Sequence, residues 1–485
     1  MLLASSAGAS GGAGSHTGTQ LSEHAHRAST MEPVTTETAS APRAGDVLEL
    51  TIGEVVHGGW CVSRQDDTGW VLFVRHALPG ERVRAIVTQA TARFARADAI
   101  EILYPSADRV PPPCRYAGPG ACGGCDWQHA SLPAQRELKA AVIRQQLKRL
   151  AGIDRNVVVK AIDGDEGGLS WRTVVTFAID RNGVAGLRRH RSHEVIEIDR
   201  CLIAHPLVTE AGVTSARWPA VQSVEVAVAP ATGERGALLA GRAGVASGLP
   251  ALAADTVQLA APSGRRIPVR GRGYLTQRAA GRDWRVSLGG FWQVHPGAAD
   301  LLAAVVLAAL EPRPGEVALD LYCGAGLFAG LLAEAVGPDG AVIAAEQDPV
   351  AVRDARHNLR AWPWARVHRG DVAQVLRRTG LRDASVAVLD PPRTGVARPV
   401  IDALCGRGEF ATGTAGDTGL RRLAYVSCDP ATLARDLRLL LDGGWQLAAL
   451  DGYDAFPMTH HVECVAILSR GERGSTVNGS PARAE

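Results

Sequence analysis

Hydrophobic residues follow two different periods along the chain, and the change of period divides it into regions. Between residues 45 and 103, apolar and polar residues alternate in short runs separated by glycine and proline turns. Five short strands at this spacing predict a small closed β-barrel of the oligonucleotide-binding kind. From about Leu288 onwards, short apolar runs alternate with helical patterns, which predicts a doubly wound, mostly parallel sheet and therefore an α/β fold.

The C-terminal pattern is regular enough to place individual elements. A helix over Ala298–Leu310 precedes the first strand, and the last two strands form an antiparallel hairpin. The strands are predicted at Val317–Leu321, Ala341–Ala345, Val386–Leu389, Leu423–Val426, Leu447–Leu450 and Val462–Leu468.

The remaining segments complete a five-part division. Apolar residues at helical spacing predict an amphipathic helix over 128–150, with arginine and lysine between them. The two termini are rich in small and polar residues and cannot bury enough apolar surface to fold. We therefore expect a disordered segment 1–43, the barrel 44–103, a small central α/β domain 104–287, an α/β domain 288–470 and a disordered tail 471–485.

Composition narrows the setting in which the chain works. A net charge of +2 over 485 residues gives no overall attraction to nucleic acid, and no apolar run is long enough to span a membrane. The start of the chain lacks the basic and apolar segments of a secretory leader. Nine cysteines in such a chain indicate a reducing cytoplasm, where clustered thiols are metal ligands or catalysts.

Three cysteines lie within twelve residues. They are Cys114, Cys122 and Cys125, spaced by glycines that let the backbone wrap closely around a ligand. Cys201 is the best candidate for a fourth ligand. Four thiolates suit either an iron–sulfur cluster or zinc, and spacing alone leaves both open beside a chance cluster of buried thiols.

A glycine-containing loop follows the first strand of the C-terminal sheet. The sequence Asp320-Leu-Tyr-Cys-Gly-Ala-Gly-Leu-Phe328 lets a ligand approach the backbone, and Glu346 ends the next strand, where an acid can hold ribose hydroxyls. The loop lacks the third glycine of the dinucleotide fingerprint, which favours S-adenosylmethionine over NAD. Asp371, at the end of the third strand, can contact the adenine amine, and it can cap the following helix, a role compatible with the first.

Two further segments provide polar groups for the same edge of the sheet. Asp390, in Asp-Pro-Pro-Arg, follows the fourth strand and can face both donor and substrate, although a structural turn is the alternative. Enzymes that methylate exocyclic amines carry a similar motif with a stacking aromatic residue where this chain has an arginine. The arginine therefore argues against N-methylation. Gln293 offers an amide for the methionine part of the donor.

Cys428 stands where the fifth strand ends and a helix begins. The helix N-terminus favours a thiolate, so we expect a nucleophile, with an inert buried thiol as the alternative. Glu463, at the start of the last strand, can serve as a base or form a buried ion pair. Adjacent strand residues point to opposite faces, so at most one of His460 and His461 is expected to line the site.

The ordered motifs resemble the RNA uracil-5 methyltransferase family over about residues 44–470. The motifs are Gly-Phe-Trp-Gln-Val-His, Asp-Leu-Tyr-Cys-Gly-Ala-Gly-Leu-Phe, Asp-Pro-Pro-Arg, Val-Ser-Cys-Asp-Pro-Ala-Thr and Phe-Pro-Met-Thr-His-His-Val-Glu. The resemblance implies a class I S-adenosylmethionine-dependent domain, Cys428 as nucleophile and Glu463 as proton acceptor. It implies that Gln293, Tyr322, Glu346, Asp371 and Asp390 bind the donor.

Family members that act on 23S ribosomal RNA carry an N-terminal TRAM barrel and a [4Fe-4S] cluster. The resemblance therefore implies cluster ligation by Cys114, Cys122, Cys125 and Cys201, although the seven-residue gap after Cys114 is longer than the family's usual spacing. It also implies that the helix after Cys125 packs on the catalytic domain. The insertion 406–419 is predicted to be a surface loop.

The resulting hypothesis is a cytoplasmic, monomeric enzyme that methylates carbon-5 of uridine in RNA, with 23S ribosomal RNA as the expected substrate, without acting on DNA or at a membrane. Two alternatives stay open at this point. One is a tRNA uridine-5 methyltransferase, and the other is a non-catalytic iron–sulfur protein that binds RNA.

Overall fold

The computed structural model describes residues 41–65, 69–241, 249–261, 264–381, 383–408 and 419–470. The predicted disordered termini and most of the 406–419 insertion lie outside the described residues. Within these ranges, no helix combines the length and apolarity needed to cross a lipid bilayer.

The N-terminal barrel consists of six strands rather than the predicted five. Their order in the sheet is β1-β5-β6-β4-β3-β2, and alternate residues such as Leu72, Val74, Val83 and Ala97 point into its core. The additional strand has two residues, which is too short to produce an alternating pattern. The strands are β1 Val47–Thr51, β2 Val55–Val56, β3 Trp60–Arg64, β4 Val71–Arg75, β5 Arg82–Ala90 and β6 Phe94–Tyr104.

A helix, α1, spans Leu132–Gln146 and connects the barrel to the C-terminal sheet. The Ser131 hydroxyl caps its N-terminus, and a π-helical turn, Leu147–Ala151, continues it until Gly152 ends it in a left-handed conformation. Leu138 packs in the barrel core, whereas Ile143 packs in the core of the C-terminal sheet. The helix therefore contacts both regions, and not the catalytic domain alone.

The central region contains much more β-structure than the expected α/β domain. A seven-stranded sheet has the order β10-β9-β8-β11-β12-β13-β14, and β15 and β16 form a separate hairpin. A single short helix accompanies these strands among the described residues. The elements are β8 Val174–Ile179, β9 Ala185–Arg188, β10 Val195–Glu197, α2 Pro206–Glu210, β11 Val221–Ala229, β12 Glu234–Gly241, β13 Thr256–Ala260, β14 Arg266–Arg270, β15 Tyr274–Ala279 and β16 Arg282–Ser287.

The C-terminal region is the predicted doubly wound sheet, with strand order β19-β18-β17-β20-β21-β23-β22-β7. Strands β17 to β21 are parallel, and β23 runs antiparallel between β21 and β22. The edge strand β7, Val159–Lys160, comes from the segment after α1, which we expected to belong to the central domain.

The bounds of the C-terminal elements agree closely with the periodicity. They are α3 Ala298–Leu310, β17 Val317–Leu321, α4 Leu327–Val336, β18 Ala341–Glu346, α5 Pro349–Asn358, β19 Ala365–Arg369, α6 Val372–Thr379, β20 Ala384–Leu389, α7 Arg398–Leu404, β21 Arg422–Ser427, α8 Pro430–Leu441, β22 Gln446–Tyr453 and β23 Glu463–Ser469. The central strands of this sheet are buried on both faces, which explains their nearly continuous apolar runs.

Candidate active site

The carboxyl ends of the parallel strands open into a cavity of about 820 Å³. Parallel strands bring the residues that follow them to one edge of a sheet, so distant segments of the chain meet there. Six of the seven predicted catalytic and donor-binding residues line the cavity. These are Gln293, Tyr322, Glu346, Asp390, Cys428 and Glu463.

The loop after β17 is tied to the acid that ends β18. The Glu346 carboxylate accepts hydrogen bonds from Gly324 N at 3.0 Å and from Asp348 N at 2.8 Å. Gly324 has a φ of +54°, a left-handed conformation that favours glycine, and Tyr322 is held in the same region at +73°. The loop thus turns sharply enough to expose its backbone beside a carboxylate, as a nucleoside site requires.

Asp371 lies outside this cavity in the structure. Its carboxylate accepts a hydrogen bond from Gln374 N at 3.3 Å and caps α6. Asp371 therefore acts as the N-cap of α6, and its role at the adenine stays a prediction.

Cys428 directly follows β21, as predicted, and is partly buried. Asp429 caps the N-terminus of α8: its carboxylate accepts hydrogen bonds from Ala431 N at 3.0 Å and from Thr432 N at 2.9 Å. Burial, reinforced by the negative charge of Glu463, raises the pKa of the Cys428 thiol to about 11. The resting thiol is therefore neutral, which differs from the thiolate expected from the helix N-terminus.

Glu463 faces Cys428 because β23 runs antiparallel to β21. Ser427 pairs with Cys464, so the next step along the ladder sets Cys428 beside Glu463. Burial raises the pKa of Asp390 to about 7, and burial together with the charge of Asp390 raises the pKa of Glu463 well above its usual value. Two buried carboxyl groups whose negative charges repel each other cannot both ionise easily, and they titrate as a pair.

Arg393, three residues after Asp390, brings positive charge to this acidic group. It lines the cavity with Cys428, and its guanidinium acts to lower the pKa values of both the thiol and Glu463. The arginine that replaces a stacking aromatic residue in the motif thus stabilises the ionised forms of Cys428 and Glu463.

Both adjacent histidines line the cavity, contrary to the expectation that only one would. They lie in the irregular segment before β23, where the alternation of strand side chains does not apply. The centres of their rings are 4.0 Å apart. His460 Nδ1 is 2.6 Å from a carboxylate oxygen of Asp126. Burial and the neighbouring His460 lower the pKa of His461 to about 3, so His461 is neutral near pH 7.

The segment after Cys125 supports the loop that leads to Glu463. Asp126 N and Trp127 N both donate to Met458 O at 3.0 Å, and Met458 N donates to Gln135 Oε1 at 2.7 Å. Lys139, fully buried, forms an ion pair with Asp454. The cysteine-bearing segment and the catalytic loop are therefore one packed unit.

The four predicted metal-binding cysteines line a second cavity of about 190 Å³. Gly123 N donates to Arg188 O at 3.0 Å beside it, and a Cβ at Gly123 would lie 2.6 Å from the backbone of His190. Among the described residues, no three side chains of His, Cys, Asp or Glu are close enough to hold one metal ion. The thiols surrounding the cavity are Cys114, Cys122, Cys125 and Cys201.

Comparison with known proteins identifies the family. Residues 43–100 match the TRAM domain model, and residues 381–471 match the model of tRNA (uracil-5-)-methyltransferase. The chain is 48% identical over 445 residues to an uncharacterized RNA methyltransferase of Streptomyces avermitilis, covering 89% of this chain and 100% of that protein. The chain belongs to the RNA methyltransferase family.

A second relative extends the match beyond one genus. An uncharacterized RNA methyltransferase of Bifidobacterium longum is 33% identical over 443 residues, covering 87% of this chain and 96% of that protein. The match to the uracil-5 model confirms the resemblance drawn from the motifs. The predictions of an S-adenosylmethionine-dependent RNA (uracil-5-)-methyltransferase and of an N-terminal TRAM barrel are thereby confirmed.

A solved structure supports the fold of this methyltransferase. The Pyrococcus abyssi tRNA (uracil-54, C5)-methyltransferase, solved with S-adenosyl-L-homocysteine, aligns with a TM-score of 0.63 and 21% identity. The alignment covers 87% of this chain and 100% of that protein. At this identity the likeness establishes the shared architecture, and so confirms the predicted fold class.

Sequence reasoning missed two residues of this methyltransferase that contact the catalytic segments. Asp126 holds His460, and His57, in the turn between β2 and β3, lies 3.4 Å from the Asp429 carboxylate. Their partners are more than 300 residues away in the chain. Asp126 directly follows Cys125, but nothing in the pattern indicated its partner.

Proposed function

We propose that this methyltransferase methylates carbon-5 of uridine in RNA through a covalent bond from Cys428 to carbon-6 of the uracil ring. The placement of Cys428 beside Glu463 in one cavity with the donor-binding residues carries this proposal. Carbon-5 of uracil is a poor nucleophile by itself. Addition of sulfur to carbon-6 turns the ring into an enolate whose carbon-5 attacks an electrophilic methyl group.

The protons and bonds can be followed through the chain's own residues. The Cys428 proton passes to solvent water as the C6–S bond forms, and the guanidinium of Arg393 favours the ionised sulfur. After carbon-5 has gained the methyl group, Glu463 removes the proton from carbon-5. The C6–S bond then breaks and the ring double bond returns. A raised pKa makes the ionised Glu463 a stronger base for this step.

The cavity fits S-adenosylmethionine by charge as well as by shape. Glu346, Asp390 and Glu463 line it, and burial raises the pKa of Asp390 to about 7. A ligand with positive sulfonium and ammonium groups would relieve this excess of carboxylates. Gln293, Tyr322, Glu346 and Asp390 would hold the donor, which supplies the methyl group, and Asp371 would join them while it caps α6.

We also propose that Cys114, Cys122, Cys125 and Cys201 hold a [4Fe-4S] cluster. Four thiols around one cavity match the four-thiolate ligand set of such a cluster. The cluster's proposed role is to stabilise the segment that supports Met458 and the RNA-binding surface, without electron transfer.

Ribosomal RNA, and 23S RNA in particular, is the proposed substrate in the cytoplasm. The TRAM barrel and the four-cysteine cavity support this choice because family members with both act on that RNA. A tRNA substrate is the second candidate, since the P. abyssi tRNA enzyme aligns with 87% of this chain. Mapping 5-methyluridine in the ribosomal and transfer RNA of cells with and without the gene separates the two.

The covalent step has a direct test. RNA containing 5-fluorouridine lacks the proton that Glu463 must remove, so the enzyme and donor should form a stable adduct. Mass spectrometry should locate the RNA on the peptide that contains Cys428. The absence of any adduct on RNA that the enzyme otherwise methylates would refute the mechanism.

A further inference from the structure

Trp60 of the barrel is surrounded by positive side chains from two regions. The guanidinium carbons of Arg75, Arg96 and Arg191 lie 5.9, 5.7 and 5.8 Å from the centre of its ring. The His190 ring meets the indole edge-on, with 5.8 Å between ring centres. Arg75 and Arg96 belong to barrel strands, whereas His190 and Arg191 belong to the turn between β9 and β10.

Only one of these three arginines has a charge partner among the described residues. Arg75 lies 3.5 Å from Asp126, and both side chains are almost fully buried. No described carboxylate lies within ion-pair distance of Arg96 or Arg191. Burial and the nearby charge of Arg191 lower the pKa of Arg96, so two like charges from separate regions stand together uncompensated.

The turn that carries Arg191 is fixed in place and adjoins the active site. Gly123 N donates to Arg188 O at 3.0 Å, and Arg189 forms an ion pair with Glu194 at 2.9 Å. His190 lines the catalytic cavity together with Asp126. Arg191 therefore directly follows a residue of the cavity wall, and Arg96 reaches the same residue, His190, through the ring of Trp60.

Aromatic rings accompany the arginines on the outer face of the barrel. Phe73 pairs with Arg96 across β4 and β6, and the Phe73 and Phe94 rings meet edge-to-face at 5.5 Å. The Arg96 guanidinium lies 5.0 Å from the centre of the half-buried Phe94 ring. Positive charge interleaved with aromatic rings is typical of surfaces that bind single-stranded nucleic acid.

We propose that Arg96 and Arg191 bind the backbone phosphates of the RNA strand that flanks the target uridine. This inference rests on the proposed function, since it assigns a surface to the substrate of that site. A base that leaves its stack to reach Cys428 needs its neighbouring backbone held, and phosphate contacts set that register. Neither guanidinium group has an ion-pair partner among the described residues, and Arg96 donates only to the neutral Gln89 amide, so both keep their positive charge for the RNA backbone.

The test measures RNA binding apart from chemistry, in the Cys428→Ala protein. A fluorescent oligouridylate of about 15 nucleotides is the probe, because phosphate contacts do not depend on sequence. The double variant Arg96→Gln/Arg191→Gln should bind roughly 10-fold more weakly near physiological salt. Its slope of log K against log salt should fall by about 1.4, the loss of two phosphate contacts on a single strand.

Two further variants decide the interpretation. Arg181→Gln removes one positive charge in the turn before β9, away from Trp60, and should leave the affinity and slope unchanged. Arg96→Lys/Arg191→Lys keeps the charge and should restore most of the salt slope. If the lysine variant behaves like the glutamine variant, the arginines act through packing on Trp60 and the inference is wrong.

The outcomes also separate this inference from the proposed function. Unchanged binding by the glutamine double variant would overturn the phosphate site even if Cys428 forms its adduct. Loss of binding without any adduct in the parent enzyme would leave the RNA surface standing and refute the covalent mechanism. In the active enzyme, the double variant should raise KM for RNA and change kcat little.

Discussion

Cys428 and the cysteines of the neighbouring cavity are all at least partly buried but have different neighbours. Burial raises the pKa of the thiols of Cys428, Cys122, Cys125 and Cys201 alike. Beside Cys428 stand two carboxyl groups, Asp390 and Glu463, and the guanidinium of Arg393. The four cysteines have chiefly one another and Arg172.

The difference shows that burial alone does not assign a cysteine its chemistry. A thiol with a proton acceptor and a cation within reach can ionise as it attacks a substrate. Thiols that face one another across a cavity instead gain stability when metal ions convert them to bound thiolates. The two sites are also joined, since Asp126 and Trp127 connect the cysteine-bearing segment to Met458.

The largest expected effect comes from removing the nucleophile. Cys428→Ala should lower methyl transfer to unmodified RNA by at least about 10⁴-fold, because it removes the sulfur that adds to carbon-6. Transfer of a labelled methyl group from S-adenosylmethionine measures it. As a matched control, Cys61→Ser in the barrel keeps a donor to Ala77 O and should retain full activity. Substantial transfer by Cys428→Ala would remove the distinction between the two cysteine sites.

Removing the base should separate the two halves of the reaction. Glu463→Gln should slow turnover by about 10²–10⁴-fold, the usual contribution of a positioned base. Since methylation of carbon-5 precedes the blocked step, a covalent RNA–protein adduct should accumulate with ordinary uridine. Denaturing gels detect it as a band that the Cys428→Ala/Glu463→Gln variant lacks. Slow turnover with no adduct would place Glu463 before the covalent step.

Cluster ligands should affect stability first and activity second. Cys125→Ser and Cys201→Ser should each lose bound iron and lower the melting temperature by several degrees, with activity falling roughly 10-fold as Met458 loses support. Iron and sulfide analysis, thermal unfolding and methyl transfer test this on protein purified without oxygen. Cys405→Ser, a buried cysteine outside both cavities, is the control. Iron content equal to that of the parent would disprove ligation.

The acidic pair predicts a pH dependence of donor binding. Burial raises the Asp390 pKa to about 7, so this carboxyl is protonated below that pH and charged above it. Affinity for the positively charged donor should therefore weaken several-fold as the pH falls from 8 to 6. Calorimetric titration of S-adenosylmethionine measures this, and Asp390→Asn should bind more weakly but with a flatter pH profile. An equally steep profile in Asp390→Asn would assign the titration to another group.

Local pattern alone determined most of the C-terminal sheet. The apolar runs of β17, β20 and β21 and the helical period of α3 are local signals, so each element could be placed without knowing its partners in the sheet. Parallel strands bring their carboxyl ends to one edge whatever the loops contain, so Glu346, Asp390 and Cys428 could be assigned to one site from their positions after strands.

Tertiary packing alone decided the rest, because the decisive contacts join residues far apart in the chain. The sequence around Asp126 does not predict its contact with His460, and the sequence around Trp60 does not predict its contact with Arg191. The pKa of Cys428 depends on burial and on Glu463, so the sequence identified the thiol but could not foresee that it rests neutral. Likewise, β7 pairs with β22 and α1 packs against both the barrel and the C-terminal sheet. Local periodicity does not encode these long-range contacts.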